Sequence, residues 1–276
     1  MNAAQWTKLP IPACVSREHI EPSPVTPSIA SVRHYEELTL NTSPAIHQAF
    51  YDGWVLRASG TDTRRANSVT ALAAGTLPLA EKIAYCEAWY RHQAQPSIFR
   101  FTDAFMPIEL DAMLAARGYT REVDTYVMTV ALDDVQTGEI PAGVKRLERS
   151  TAEGLADVHG MKGSSPQALE QDLQRQALWK GGEKYLSLKT INGVVATGLA
   201  RIDGDFVGIF NMHTAKTARR KGYASLLVAE LLAWGRGQGA RTAFLQVDQT
   251  NAAAISAYRK FGFAPVYSYW HRVQGA

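Results

Sequence analysis

The stretch Arg219-Arg220-Lys221-Gly222-Tyr223-Ala224 takes its meaning from the segments on either side of it. Residues 205–214 form an extended, mostly apolar run, Phe206-Val207-Gly208-Ile209-Phe210-Asn211-Met212, of the kind that suits a buried strand. Beyond the stretch, Ala224, Leu227, Val228, Leu231 and Trp234 recur at three- and four-residue steps and share one helix face, until Gly235, Gly237 and Gly239 end the pattern. A loop between such a strand and such a helix aims a row of backbone N–H groups, and the positive end of the helix dipole, at one point. That arrangement suits a pyrophosphate, and Gly222 and Ala224 leave room for it to touch backbone.

Working outward, residues 242–247 read as a second strand. Asn251 then caps a helix running through Ala254, Ile255 and Tyr258 to Phe261, and Gly262 stands where a left-handed residue closes it. Residues 263–272 return as a strand.

These residues resemble the GNAT superfamily of acyl-CoA-dependent N-acyltransferases, over roughly residues 143–273 and most densely over 207–263. Arg219-x-x-Gly222-x-Ala224 matches the pyrophosphate loop, Asn251-x-x-Ala254 opens the next helix, and Tyr258 precedes Phe261-Gly262-Phe263 at the usual spacing. The resemblance implies acetyl-CoA as cosubstrate, its pantetheine arm lying where the fourth and fifth strands splay apart, beside Met212, His213 and Thr214. It puts the loop from Arg219 through Arg220, Lys221, Gly222, Tyr223, Ala224 and Ser225 on the pyrophosphate, Asn251 near the end of the fifth strand, and Tyr258 by the thioester sulfur.

The chemistry suits those residue types. An amine attacking a thioester develops an oxyanion, which needs N–H donors in a dry cleft, and it expels a thiolate better released as a thiol. A tyrosine hydroxyl can deliver that proton; the plainer alternative is that Tyr258 is one aromatic on a buried helix stripe. Family members deprotonate the amine with a carboxylate, a histidine or a chain of waters. The position where some carry a glutamate falls near Gly208, a departure from that pattern, and His213 is then a catalytic candidate, against a packed strand histidine.

Composition narrows the class. A chain of 276 residues with 46% hydrophobic and 20% charged residues suits one large or two small globular domains. Two cysteines, Cys14 and Cys86, are too few and too far apart for a disulfide framework or a metal knuckle, and no Cys/His spacing suggests a metal. No leader pattern opens the chain and no apolar run reaches membrane-spanning length, so the expected setting is cytoplasmic, without a membrane partner. A formal charge of +3, with its one dense cluster inside the loop, argues against a nucleic-acid partner.

Residues 1–30 carry Pro10, Pro12, Pro22, Pro24 and Pro27 with little periodicity and read as a proline-rich arm. In residues 31–140 the pattern gives a helix over 34–48, strands over 53–59 and 64–70, a helix over 77–92, a strand over 97–102, a helix over 107–117 and a strand over 123–132. Ala88-Trp89-x-Arg91-x-Gln93 matches Ala233-Trp234-x-Arg236-x-Gln238 at an offset of domain size, and Gly118-Tyr119 matches Gly262-Phe263. The expected fold class is therefore α/β (α+β) with two GNAT-like modules, each a mixed, mostly antiparallel sheet flanked by helices. Residues 31–140 would be a degenerate copy, with Ala73-Ala74-Gly75-Thr76 in place of the loop, and residues 141–276 the acyl-CoA-binding catalytic domain.

Trp54, Arg57, Arg65 and Asn67, on Trp-x-x-Arg and Arg-Ala-Asn-Ser-Val segments that resemble those of some bacterial extended GNAT proteins, are candidate acceptor-pocket residues, with packing as the alternative. Met161, Gln171, Arg175 and Trp179 lie on helices over 152–162 and 166–179, where the family varies its acceptor site. Asn192-Gly193 turns a hairpin of strands over 184–191 and 194–202. The expected function is transfer of an acetyl group from acetyl-CoA to a primary amine of a small-molecule or peptide acceptor, directly, since no cysteine or serine is an evident covalent carrier. A non-catalytic acyl-CoA sensor or interaction protein is the alternative.

Overall fold

Ser28 starts the described chain by capping its first helix, its hydroxyl accepting the N–H of Ser31. The computed structural model describes residues 28–102, 107–133 and 138–275, so the proline-rich arm lies outside the described residues up to residue 27. Helix α1 (Ile29–Thr42) ends sooner than the expected 34–48 because Pro44 disfavours helical geometry at Ser43. Residues 47–51 are instead strand β1 (His47–Tyr51), joined to β2 (Trp54–Ala58) by Asp52-Gly53, both at positive φ (43° and 81°) as a tight hairpin requires.

A 3-10 turn at Arg64–Ala66 takes up the start of the strand expected over 64–70, leaving β3 (Val69–Ala71), followed by α2 (Leu79–His92), β4 (Ile98–Thr102), α3 (Ile108–Ala116), β5 (Thr120–Arg121) and β6 (Thr125–Ala131). The second half runs β7 (Lys145–Arg149), α4 (Thr151–Lys162), α5 (Pro166–Gln176), β8 (Glu183–Thr190), β9 (Gly193–Asp203), β10 (Phe206–Thr214), α6 (Tyr223–Gly237), β11 (Thr242–Asp248), α7 (Ala252–Arg259) and β12 (Ala264–Val273). A Ser150/Glu153 capping box opens α4 and left-handed Gly163 closes it.

The expectation of two modules with separate sheets is overturned. The strands form one 12-stranded sheet in the order β1-β2-β3-β4-β12-β6-β11-β10-β9-β8-β7, with β5 on β12. The two halves exchange their last strands: β6 pairs with β11, and β12 lies between β4 and β6. The physical reason is the sheet edge. Two separate sheets would each expose an unpaired inner edge, whereas one continuous sheet pairs both.

Side-chain alternation assigns the layers. Val207, Ile209, Ala243 and Leu245 pack with Leu227, Val228 and Leu231 of α6 and with Ile255 of α7. Trp54, Leu56, Phe99 and Phe101 pack with Ile83, Cys86 and Tyr90 of α2 and with Leu110 and Leu114 of α3. On the opposite face Phe210 and Phe244 join Tyr185 and Leu199 under Leu38 of α1. Burying each large aliphatic side chain of the α6 stripe contributes about 1.5–3 kcal/mol.

Helix α1 is bolted across the seam between the halves. Glu36 accepts two hydrogen bonds from Arg100 on β4, at 2.6 and 2.7 Å, and a third from the Tyr267 hydroxyl on β12, at 2.6 Å. Arg100 also lies 3.3 Å over the ring of Tyr269. Burial is the largest single influence on the Arg100 pKa and lowers it, but the charge and hydrogen bonds of Glu36, with Tyr269 and Tyr267, together more than offset it and hold it above the usual arginine value. Removing one member strands the other's charge in the interior, so Glu36→Ala should cost about 3–5 kcal/mol in urea unfolding. The double replacement Glu36→Leu with Arg100→Met should cost well under the sum of its single costs, and additive costs would show the pair to be uncoupled.

Candidate functional site

β10 and β11 run as a parallel pair only from Phe206↔Thr242 to Ile209↔Leu245. β10 continues to Thr214 and β11 to Asp248 without pairing to each other, so the gap expected between the fourth and fifth strands of the family is present. A bulge against β9 between Phe210 and His213, where Asn211 takes φ 50° and donates to the Tyr185 hydroxyl, turns the end of β10. Met212 packs back against the α6 core, and His213 and Thr214 stay half-buried.

The loop follows directly. Arg220 (φ 65°) and Gly222 (φ 80°) are left-handed, and Gly222 caps the 15-residue α6 with no side-chain hydrogen bond and no acidic residue in the first turn. Among the described residues, no backbone N–H from residue 219 to residue 225 donates to a backbone acceptor outside the helix. The side chains of Arg219, Arg220 and Lys221 are exposed. A Cβ added at Gly222 would meet no atom within 4 Å. Unmatched donors, the helix dipole, open room and three cations fit a coenzyme A pyrophosphate.

The corresponding place before α2 differs. There the Asp52 carboxylate accepts from the N–H groups of Thr76 and Leu77, at 2.9 and 3.0 Å, and pairs with Lys82 at 3.0 Å. Those backbone hydrogen bonds, with Lys82, hold the Asp52 carboxyl well below the usual carboxylate range. The chain's own anion fills the position at α2, whereas the N-terminus of α6 has no such carboxylate.

Asn251 caps α7, its side chain accepting the N–H of Ala254 at 3.2 Å. Tyr258 is half-buried and edge-on to Phe263, at 5.9 Å between centroids, and burial pushes its hydroxyl up to about 12. His213 is held below the ordinary 6.5, first by burial and then by the charges of Lys162 and Arg219, and is therefore neutral at pH 7. At Gly208 a Cβ would come within 2.5 Å of the Phe210 ring and 2.8 Å of the Phe244 ring, so this face holds aromatic packing and no carboxylate.

The first-half candidates separate. Trp54 is fully buried beneath Lys82, whose Nζ lies 4.1 Å from the ring centroid. The Arg57 guanidinium donates to the carbonyls of Leu40, Ser43 and Arg65, and Asn67 ties Ser59, Gly60, Thr61 and Thr63 together, so both brace the loop that carries Arg65. Trp179 covers Arg201, its ring centroid 5.0 Å from the guanidinium carbon. Arg175 is buried against Asp172.

Arg65 instead lines a cleft of about 650 Å³ with Arg64, Arg121, Glu122, Gln246, Asp248, Tyr269 and His271, among others. Apart from Arg65, sequence reasoning missed these residues. They come from separated segments that meet only because β12 and β6 change places, and nothing local marks them. Among the described residues no three His, Cys, Asp or Glu side chains cluster as metal ligands, and no helix is long and apolar enough to cross a membrane.

Comparison with known proteins agrees with this geometry. The chain is 26% identical over 249 residues to the "Uncharacterized N-acetyltransferase YobR" of Bacillus subtilis, covering 88% of this chain and 98% of that protein. It is 26% identical over 234 residues to the "Probable histone acetyltransferase Rv0428c" of Mycobacterium tuberculosis, covering 82% and 69%. The solved structure of a GCN5-related N-acetyltransferase from Kribbella flavida superposes with a TM-score of 0.65 at 18% identity, covering 90% of this chain and 96% of that one, which speaks to the fold. The family model described as "Probable histone acetyltransferase Rv0428c C-terminal" matches residues 29–272 in one span, across both halves. The chain thus has the GNAT acetyltransferase fold and belongs to that family.

Proposed function

We propose that this chain is an N-acetyltransferase that moves the acetyl group of acetyl-CoA directly to a primary amine of a small-molecule or peptide acceptor. The observation that carries the reading is the parting of β10 from β11 beside a loop whose N–H groups lack acceptors. A cytoplasmic setting goes with it, in keeping with a chain of two cysteines.

Acetyl-CoA supplies the acyl group already activated as a thioester. The N–H groups of residues 219–225 bind the pyrophosphate, with Arg219, Arg220 and Lys221 adding charge. Peptide groups of Met212, His213 and Thr214, unpaired toward β11, line the pantetheine path. Neutral His213 takes a proton from the attacking amine. Tyr258, kept protonated by burial, gives one to the departing sulfur.

Gly222→Val would introduce a branched side chain at a left-handed position and fill the open room beside it. Calorimetry should find one equivalent of CoA per wild-type chain and loss of binding in the folded variant. Unchanged affinity would make the loop structural.

Tyr258→Phe keeps the packing against Phe263 and removes only the hydroxyl. Turnover should fall by about 10²–10⁴-fold with CoA affinity nearly unchanged. Full activity would leave Tyr258 a packing residue.

A neutral base at His213 gives kcat an acidic limb with its midpoint below 6.5, because the lowered pKa keeps the imidazole unprotonated until the pH falls past it. His213→Asn should abolish that limb and slow turnover. The same limb in the variant would assign the proton to water or another group.

A further inference from the structure

Three arginines line the cleft at the end of β11. Arg64 is bonded to Glu122 at 2.6 Å, and Arg121 is bonded to Asp124 at 2.9 Å and lies 4.2 Å over the Trp270 ring. Arg65 differs: among the described residues it forms no ion pair. Its Nη1 is 3.5 Å from Gln246 Oε1, a long hydrogen bond, the Tyr269 hydroxyl also interacts with it, and its Nε is buried without a partner. Burial is the main cause that lowers its pKa, with the charges of Arg175 and Arg100 adding to it and Tyr269 opposing it, the direction expected of a desolvated cation without a carboxylate partner. A buried guanidinium is costly unless a carboxylate meets its planar fork.

A second group in the same cleft is unsatisfied. His271 on β12 is 5% exposed, its Nε2 has no partner, and its Nδ1 is 3.7 Å from Glu122. Burial and the charges of Arg100, Arg64 and Arg65 hold it well below the ordinary histidine value, so it is a neutral imidazole able to share a hydrogen bond with a ligand. The lining also carries Glu122 and Asp248, which disfavour a phosphate dianion and suit the cationic end of a zwitterion.

The location ties the cleft to the transfer site. Gln246 is the first β11 residue past the last β10–β11 pair, Ile209↔Leu245, and Phe210 is its counterpart on β10. The Arg65 guanidinium carbon lies 5.9 Å from the Phe210 ring centroid, so the cation hangs over the point where the strands part. The 3-10 turn that carries it is fixed by Arg57 and Asn67.

We propose that Arg65, with neutral His271, anchors a carboxylate of the acceptor, so that the acceptor is a small amino acid or a similar compound whose amine and free carboxylate are a few bonds apart. This rests on the gap between β10 and β11 being the site of acyl transfer.

The test compares the free L-amino acids with their carboxamides, and with a lysine peptide blocked at both ends, in acetyl transfer by the full chain. Thermal-shift binding of the same compounds is read with and without CoA. At least one free amino acid should exceed its carboxamide in kcat/KM by about 10²-fold or more, mostly through KM. Arg65→Gln should bring acid and carboxamide level, Arg65→Lys should keep part of the preference, and both should bind CoA as the wild type does. Should turnover prove undetectable, a shift by an amino acid that its carboxamide lacks, and that Arg65→Gln abolishes, supports the proposal. Equal use or equal binding of carboxamides or of the blocked peptide overturns it, as does no binding of any amino acid by a chain that binds CoA. Failure to bind CoA overturns the acetyltransferase reading instead, and the binding measured without CoA still decides the carboxylate site.

Discussion

The buried pair between Glu36 and Arg100 is the constraint on which the rest of the structure depends. It joins the first helix to a strand of the first half, and the Tyr267 hydroxyl brings in the last strand of the second. Such a pair adds little net stability, because desolvation offsets most of the attraction. Its effect is on specificity, since an unpaired Glu36 or Arg100 would be intolerable in this interior. The packing that satisfies both holds β12 next to β4, and with that the strand exchange follows.

The exchange has a chemical consequence. A sheet of two independent halves would carry its own surface beside each helix N-terminus. In the joined sheet, residues 63–65 of the first half and residues 269 and 271 of β12 meet at the end of β11 and wall one cleft beside the gap in the second half. The first half thus contributes side chains to this cleft, Arg64, Arg65, Arg121 and Glu122 among them. Its own helix N-terminus is closed by Asp52, whose carboxylate occupies the place that α6 leaves open.

The two side chains proposed to move protons have shifted titrations. Tyr258 and His213 are both shifted toward their neutral forms chiefly by burial, with Lys162 and Arg219 adding to the effect at His213. At Gly208 the rings of Phe210 and Phe244 fill the space where a longer side chain would project.

Local chemistry in the sequence determined the elements of the second half. The strand–loop–helix around Gly222 and the Asn251 cap lie where spacing and turn residues put them, and the hairpin expected at Asn192-Gly193 turns one residue earlier, at Ile191-Asn192, with Gly193 opening β9, because capping, left-handed turns and helical periodicity are interactions within a few residues. The end of α1 was legible too, in Pro44, although periodicity carried the expected helix past it. What the sequence did not reveal was strand order. Whether β6 completes its own half or its neighbour's changes no local preference, and only the cost of unpaired edges and unpaired buried charge decides it. Tertiary structure alone therefore separated Arg57 from Arg65, two arginines on neighbouring segments. The first is used up on backbone carbonyls, and the second faces a cleft whose other wall lies some two hundred residues further along the chain.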